Sequence, residues 1–383
     1  MLNKDLNFDS LKFDNNDNFN MPNLNLKKRH SNIQYQIDEQ LESHTKNFME
    51  NNEYEDFEEI EIPMIFHVIY NNGNNYQYES VDEFTINQTN IQQDVVDQLN
   101  KDYNLKNEDR FETPEVWQDL MADFKINFVI NKIIYVNSHL ELDADDDSKL
   151  DTVKFDKNGG SNVIDPELNL NVWIVNILPM STGNHLMGYA QFASYFKKFP
   201  ETDGYVLNIK ALKERTSTHE IGHWMNLMHI WGNGKGEGDE DECNNDNDDG
   251  IDDTPNSNTN HINCGVNENC TYPETSSCGS PDMFMNYMSY GTERYMFTKD
   301  QMLRARAVFA EGGPRHSMVT QINPPNDDPH MTIIEWIIFI FVIKIILIFL
   351  YCIIKTCIKT CVLKRNLRHV ELVEEEDLES QVQ

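Results

Sequence analysis

Basic residues are scarce in this chain of 383 residues. It contains 31 lysines and arginines against 64 aspartates and glutamates, which gives a formal net charge of −33 at pH 7. A surface this acidic repels the phosphates of nucleic acids and the headgroups of anionic lipids. We therefore expect no nucleic-acid partner for the main domain, and we expect cationic partners or bound Ca²⁺ to be favoured.

The sequence also lacks an apolar run directly after Met1, so it shows no signal peptide. Residues 1–55 are instead rich in Asn, Asp and Lys and contain no cysteine. We predict that they form a mobile segment or a pro-segment. Without a thiol, this segment has no cysteine that could cap a metal ion.

The seven cysteines show no CxxC spacing, which would mark a structural zinc site. Four of them crowd into one loop-rich segment: Cys243, Cys264, Cys270 and Cys278. We interpret these four as two disulfides formed in an oxidising compartment, rather than as a second zinc site; three connectivities are open. The other three follow a long apolar run and are candidates for palmitoylation: Cys352, Cys357 and Cys361.

The strongest indication of catalysis is the stretch 218–229, which reads THEIGHWMNLMH. His219 and His223 are four residues apart, so they share one face of a helix predicted over 213–227, and two neutral imidazoles there can bind one zinc ion. Glu220 lies beside the first of them and can reach a metal-bound water. A chance HExxH on an ordinary surface helix is the alternative.

A third histidine, His229, makes that alternative weak. It comes six residues after His223, so the chain must turn near Asn226 to bring the third ring to the metal. Asn is the commonest substitute for Gly where a turn requires positive φ. Three histidine ligands leave a fourth position open for water, which is typical of a catalytic zinc site.

The segment after His229 is strongly acidic. Its carboxylates repel one another unless water or a cation neutralises them, and Ca²⁺ held by oxygen ligands is one interpretation. The candidate ligands are Asp248, Asp249, Asp252 and Thr254. A solvated acidic loop is the alternative, and the regular EF-hand spacing is absent.

Hydrophobic periodicity predicts the main elements. Strands are predicted at 60–70, in one or two pieces over 124–136, at 168–176, and as short edge segments at 188–192 and 205–208. An edge strand beside the cleft could pair with an extended substrate. Helices are predicted at 89–103 and at 298–310, with Thr298 as the N-cap. We interpret His67 as a core histidine, and we expect the acidic residues 140–165 to form an exposed excursion.

One apolar run, residues 333–354, is long enough to span a bilayer, although Lys344 lies near its middle. We predict a catalytic domain at 56–315, a linker at 316–331, a transmembrane helix at 332–354 and a basic, then acidic, tail at 355–383. The positive-inside rule makes that tail cytoplasmic and places the catalytic domain in the lumen, outside the cell or on a virion surface. A buried soluble helix is the alternative, and the missing signal peptide conflicts with this topology.

Taken together, these blocks resemble the pappalysin-type metzincins, the zinc metalloproteases related to pregnancy-associated plasma protein-A and ulilysin. The zinc stretch follows the metzincin signature HExxHxxGxxH, with Asn226 in place of the glycine. Further blocks that carry the resemblance lie at 62–68, 98–103, 170–173, 188–190, 230–232, 252–255 and 285–288.

The resemblance implies an α+β catalytic domain. Its upper half would hold a twisted mixed sheet and the active-site helix, and its lower half would be loop-rich and disulfide-bonded. The resemblance also implies that Met288 lies in a tight turn beneath the metal, that Tyr290 can approach the metal and stabilise an oxyanion, and that the acidic loop binds calcium. The disulfides it implies are Cys243–Cys270 and Cys264–Cys278.

The function predicted from the sequence is that of a zinc-dependent endopeptidase acting on polypeptides. Zinc on the three histidines would activate a water molecule, and Glu220 would serve as the general base. A membrane-anchored adhesion or binding protein that merely retains the protease fold is the main alternative, and a zinc enzyme with a non-peptide substrate is another. An intact Glu220 beside three histidines disfavours the binding protein.

Overall fold

The computed structural model describes residues 39–54, 57–71, 88–232, 238, 243, 248–322 and 355. The chain divides into two compact units, Met1–Asn323 and Pro324–Gln383. The predicted transmembrane helix and nearly all of the predicted tail lie outside the described residues. Within the described ranges, no helix has the length and apolar character needed to cross a membrane.

A five-stranded sheet organises the first unit. Its strands, in spatial order, are β2 (Ile126–Asn137), β1 (Ile60–Tyr70), β4 (Leu170–Val175), β7 (Tyr205–Asn208) and β6 (Gly188–Ala190). All neighbours pair in parallel except β6, which runs antiparallel to β7. Two short ribbons accompany the sheet: β3 (Leu142–Asp143) pairs with β5 (Ile177–Leu178), and β8 (Ser276–Ser277) pairs with β9 (Ser280–Pro281).

Helices and short 3₁₀ turns surround this sheet. The helices are α1 (39–51), α2 (Gln88–Ile91, a π-helical turn Gln92–Val96, and Asp97–Tyr103), α3 (Glu115–Gln118), α4 (Thr216–Trp224), α5 (Lys299–Ala307) and α6 (His316–Ile322). The 3₁₀ turns are Glu108–Glu112, Asp147–Lys154, Asp156–Asn158, Ala193–Tyr195, Pro200–Thr202 and Ile209–Ala211. This arrangement confirms the predicted mixture of helices with a mixed sheet.

Most predicted strands form where periodicity placed them. β1 has the predicted bounds, and the predicted strand region near 124–136 is one strand, β2, with a register shift opposite Met64 and Ile65. β6 is an edge strand as predicted, whereas β7 lies between β4 and β6. All four residues of β7 are buried, and a run of only four residues is too short for its pattern to distinguish an interior strand from an edge strand.

The expectation that residues 140–165 form an exposed excursion is wrong. Leu150 and Val153 are buried, and they pack with Trp173 of β4 in a second hydrophobic cluster. Lys154 is buried as well, and its ammonium donates to the Thr202 carbonyl at 2.8 Å and lies 2.8 Å from an Asp151 carboxylate oxygen. Turns hide this burial from a periodicity argument because their few apolar residues follow no regular spacing.

Residues 39–51, which belong to the predicted N-terminal segment, form the packed helix α1. Its Leu41 is buried in the main hydrophobic cluster, and Phe48 and Met49 pack against that cluster. The first part of the predicted segment, residues 1–38, lies outside the described residues. At the other end of the unit, α6 occupies the start of the predicted linker.

His67 is a core histidine, as predicted. It is fully buried and stacks on the Trp173 ring at 5.0 Å between ring centroids. Asn171 Oδ1 is an acceptor, since it also accepts from the Ile164 amide. His67 Nε2 therefore carries the proton and donates to Asn171 Oδ1 at 2.9 Å. The Ser161 hydroxyl donates to the other ring nitrogen, Nδ1, at 2.7 Å. This neutral, fully bonded ring has its pKa lowered to about 4, chiefly by burial.

The pH dependence of stability should reveal this histidine. An unfolded-chain histidine binds a proton below pH 6.5, whereas folded His67 stays neutral down to about pH 4. The unfolded state therefore binds more protons between these values, so this group removes stability as the pH falls from 6.5 to 4, by about 3 kcal/mol in total. His67→Gln should lose less stability than the parent chain between pH 7 and pH 4.5 in urea unfolding, and equal losses in the two proteins would contradict the prediction.

Candidate active site

Helix α4, which carries HExxH, is buried along its whole length. Its first turn is anchored by a buried carboxylate of α2, Asp102, which accepts from the Thr218 hydroxyl at 2.7 Å and the Tyr287 hydroxyl at 2.8 Å. Burial raises the pKa of Asp102, and the Arg215 guanidinium, 3.3 Å away, opposes that rise. Tyr103 adds a hydrogen bond from its hydroxyl to the Thr218 carbonyl at 2.8 Å. The start of α4 is thus tied to α2 and to the segment around Tyr287.

The end of α4 is anchored by a second buried carboxylate, Asp203. It accepts from the Trp224 indole at 3.1 Å and pairs with both terminal nitrogens of Arg315, at 2.7 and 2.8 Å. The Arg315 guanidinium lies over the Trp224 ring, 3.9 Å from its centroid, and its Nε donates to the Trp224 carbonyl at 3.2 Å. With both ends held, α4 presents its histidines in a fixed orientation.

The three predicted ligands converge on one point. The Nε2 atoms of His223 and His219 are 3.1 Å apart, as are those of His223 and His229. All three ligand atoms lie within 4.8 Å of one another, and no other group of three or more His, Cys, Asp or Glu side chains converges in this way among the described residues. His219 and His223 are buried and His229 is half-buried.

The hydrogen bonds made by Nδ1 of His219 and His223 determine whether Nε2 of each ring can bind a metal. His219 Nδ1 donates to the Tyr287 carbonyl at 2.7 Å, and His223 Nδ1 donates to the Leu227 carbonyl at 2.8 Å. With the proton on Nδ1, each Nε2 lone pair faces the common centre. Nitrogens that bind tetrahedral zinc at about 2.0–2.1 Å lie roughly 3.3 Å apart, so the observed spacing fits zinc.

Asn226 makes the turn that brings His229 back to the centre. Its φ is 74°, in the left-handed region, as the sequence predicted. The Leu227 amide donates back to the Gly222 carbonyl at 2.9 Å, which closes the end of the helix. The His229 ring then stacks on Trp231, with 4.3 Å between ring centroids.

Replacing Asn226 tests this turn. Asn226→Gly should leave zinc affinity close to that of the parent, because glycine adopts positive φ without strain. Asn226→Ala should lower the free energy of unfolding by about 1 kcal/mol and weaken zinc binding, because alanine is strained at this φ. Chelator competition and thermal unfolding of the two variants measure these effects, and an alanine variant that binds zinc like the glycine variant would contradict the prediction.

Met288 lies directly beneath α4, where the family resemblance placed it. A Cβ atom added to Gly222 would lie 2.4 Å from the Met288 sulfur, so the helix and the methionine are in contact only because residue 222 has no side chain. Asn286 fixes the turn, since its Oδ1 accepts from the Met288 amide at 2.9 Å. The Ile230 amide also approaches the Met288 carbonyl, at 3.4 Å.

Tyr290, two residues further on, lies beside the histidines. Its ring centroid is 5.0 Å from that of His229 and 5.8 Å from that of His219, and its side chain is half-buried. Its amide donates to the Asn260 carbonyl at 3.0 Å, which connects it to the disulfide-bonded loop. The Tyr290 ring therefore lies next to the His219 and His229 rings, and its role as an oxyanion donor stays a prediction.

Glu220 is buried in the same helix and lies against the edge strand β6. A Cβ atom added to Gly188 would be 2.8 Å from Glu220 Oε1 and 2.9 Å from Thr216 Cγ2. The backbone of β6 thus forms one wall against the carboxylate. Glycine at position 188 is what lets Glu220 occupy its present place.

Gly188→Ala should therefore displace the Glu220 carboxylate. We expect kcat to fall by about tenfold or more with a small change in zinc content, because a shift of about 1 Å in a catalytic group can cost that much or more. Steady-state kinetics and metal analysis measure the two effects. Gly183→Ala is a matched control in kcat, because nothing lies within 4 Å of a Cβ at that glycine, although its positive φ costs some stability. A Gly188→Ala enzyme as fast as this control would contradict the prediction.

The residues that anchor α4 were not predicted from the sequence. They are Asp102, Asp203, Arg215 and Arg315, which follow no motif of their own. Asp102 does lie within the block 98–103 that carries the family resemblance. A buried acidic residue within an otherwise helical apolar pattern was the available signal.

Among the described residues, no three carboxylates of the proposed calcium segment converge on one point. Asp249 is buried, accepts from the Thr254 hydroxyl at 2.8 Å and from the Ile251 amide at 3.1 Å, and has its pKa raised by burial. Asp248 has a raised pKa with the same main cause, and Asp252 is exposed. Calcium binding in this segment stays a prediction.

The disulfide pairing differs from the expected one. The structure pairs Cys243 with Cys278 and Cys264 with Cys270, rather than Cys243 with Cys270 and Cys264 with Cys278. The reason is a tight turn after Cys264, in which the Gly265 amide donates to the Glu268 carbonyl at 2.9 Å. That turn brings two cysteines only six residues apart to a Cα–Cα distance of 5.3 Å.

The chain matches one protein-family model and is similar to several solved structures. The model of family Peptidase M43, described as Pregnancy-associated plasma protein-A, matches residues 155–310. A structure of a glutamate-to-alanine mutant of Tannerella forsythia promirolysin is 30% identical, with a TM-score of 0.60, and the match covers 78% of this chain and 95% of that one. A search of curated proteins returned no match.

Two further solved structures are of mirolysin itself. Mirolysin in complex with compound 9 is 31% identical, with a TM-score of 0.56, and the match covers 70% of this chain and 98% of that one. Mature Tannerella forsythia mirolysin in complex with a cleaved peptide is 32% identical, with a TM-score of 0.57 and the same coverage.

Proposed function

The chain belongs to peptidase family M43, the pregnancy-associated plasma protein-A family, and is a metzincin-type metalloendopeptidase; from this premise we propose that it cleaves polypeptides with zinc on His219, His223 and His229 and with Glu220 as general base. The family implies zinc, and the convergence of the three histidines is the observation that carries the proposal. The Nδ1 hydrogen bonds of His219 and His223 support it, because they place the ring proton on Nδ1 and the metal-binding lone pair on Nε2.

Zinc, when bound, supplies Lewis acidity, which lowers the pKa of a water molecule and polarises the scissile carbonyl. Glu220 then acts on the proton. Its carboxylate accepts the proton of the attacking water, holds it within the buried site and delivers it to the leaving amine nitrogen. The wall formed by Gly188 limits the carboxylate to this position.

Tyr290 is proposed to stabilise the developing negative charge. Its ring lies beside His229 and His219, and its phenolic O–H can donate to an oxygen that becomes anionic in the transition state. The edge strand β6 is proposed to pair with the extended substrate backbone. The mature mirolysin structure in complex with a cleaved peptide supports a peptide as the ligand of this cleft.

We also retain the membrane anchor at 333–354 as a proposal. It is supported by the length and apolar composition of that run in the sequence. The catalytic domain would then be outside the cytoplasm, which suits its two disulfides. A membrane-anchored binding protein that retains the fold remains the alternative function, and a cleavage assay distinguishes the two.

Glu220→Gln provides that assay. The amide cannot accept a proton, so we expect peptide cleavage to fall by about a hundredfold or more while zinc remains bound. Cleavage of a peptide library by the parent chain, with and without a chelator, should show activity that zinc restores.

Glu201→Gln is the matched control, because Glu201 is exposed on a turn of the surface. It should cleave like the parent chain. A Glu220→Gln enzyme as active as this control would refute Glu220 as general base. A parent chain that binds zinc but cleaves no peptide would instead favour the binding-protein alternative.

A further inference from the structure

Helix α1 and the residues directly after it contact α5. They are far in sequence from the zinc stretch and precede the region that the family model matches. Three side chains make polar contacts with successive parts of α5 and its end. The Tyr54 hydroxyl donates to Asp300 at 2.8 Å, Glu42 contacts Arg304, and His44 Nε2 donates to the Ala307 carbonyl at 2.9 Å. The first segment of the described chain is thus docked at both ends of α5.

Arg304 links Glu42 of α1 to Asn226 in the turn that follows α4. Arg304 is buried, and its two terminal nitrogens donate to the two oxygens of Glu42, at 2.9 and 2.5 Å. Its Nε donates to the carbonyl of Asn226 at 2.8 Å. A planar guanidinium fixed on one edge by a carboxylate holds its other edge in a defined direction.

Asn226 is the residue whose left-handed backbone returns His229 to the metal centre. A hydrogen bond to its carbonyl fixes the peptide plane that joins it to Leu227. The Leu227 carbonyl in turn accepts from His223 Nδ1. One guanidinium therefore restrains the turn that orients two of the three ligands, and Glu42 restrains the guanidinium.

We propose that Glu42 is a positioning residue of the metal centre, and that α1 stays with the catalytic domain in the active enzyme. The inference rests on the proposed zinc function. Without Glu42, the buried guanidinium of Arg304 still has Gly250 beside it and the buried Asp249 carboxyl as a competing partner. Burial raises the pKa of Asp249, and Arg304 opposes that rise. Movement toward Asp249 would draw Nε away from Asn226.

Glu42→Gln tests the proposal in the full chain, because it removes the charge and keeps the shape. Loss of a partner behind the ligands typically weakens metal binding tenfold to a hundredfold, and we expect about a tenfold higher zinc dissociation constant in chelator competition. The visible absorption of the Co²⁺-substituted variant should also differ from that of the parent. A change of ligand geometry alters this spectrum, and a mere loss of stability does not.

Glu50→Gln is the matched control. Glu50 lies on the same helix, is exposed and contacts only Lys46, at 4.0 Å, among the ion pairs of the described residues. It should leave zinc affinity and the Co²⁺ spectrum unchanged. Parental zinc affinity in Glu42→Gln, or equal weakening in both variants, would overturn the proposal.

The N-terminus of the purified active enzyme gives a second test. It should lie at or before residue 39, and an active enzyme that begins after residue 51 with parental zinc affinity would also overturn the proposal. A parent chain that binds zinc but cleaves nothing would defeat the proposed function alone, since the zinc comparison between the two variants needs no substrate.

Discussion

Two hydrogen bonds from imidazole to main-chain carbonyl are the constraint on which the metal centre depends. They place the proton of His219 and of His223 on Nδ1 and aim each Nε2 at a common point. The carbonyls belong to Tyr287, which is far from α4 in sequence, and to Leu227, in the turn that follows α4. The centre is therefore only as well ordered as the two segments that carry these carbonyls.

The domain holds these segments with buried charge. Asp102 ties the Tyr287 side chain to α4, and Asp203 ties Arg315 to the end of the same helix. Burying such pairs costs desolvation free energy, and an apolar contact of equal volume is often as stable. What a carboxylate provides and an apolar contact does not is direction, since each pair fixes a hydrogen-bond vector relative to α4.

Sequence alone predicts the parts of this molecule whose signal is local. The bounds of β1, the Thr298 cap of α5, which closes a capping box with Gln301, and the pair of His219 and His223 follow from spacing within one element. His229 follows from the spacing of one short stretch that includes the turn at Asn226. The burial of residues 140–165 and the disulfide pairing could not be predicted, because both depend on how turns fold back. Cys278 itself has a positive φ, 46°, a backbone state that no residue pattern announces.

Met288 shows the difference between what local sequence patterns predict and what only the folded structure reveals. The sequence contains Met283, Met285 and Met288 in one short stretch, and the structure buries all three, so burial does not distinguish them. The distinction comes from Gly222, the one residue of α4 without a side chain, because the Met288 sulfur fills the space where a Cβ would be. α5 then fixes both sides of this contact: Gln301 exchanges two hydrogen bonds with Asn286 below the helix, and Arg304 holds the turn at its end. A single helix thus sets the distance between the methionine turn and the ligand turn, so the geometry of the centre depends on α5 although α5 supplies no ligand.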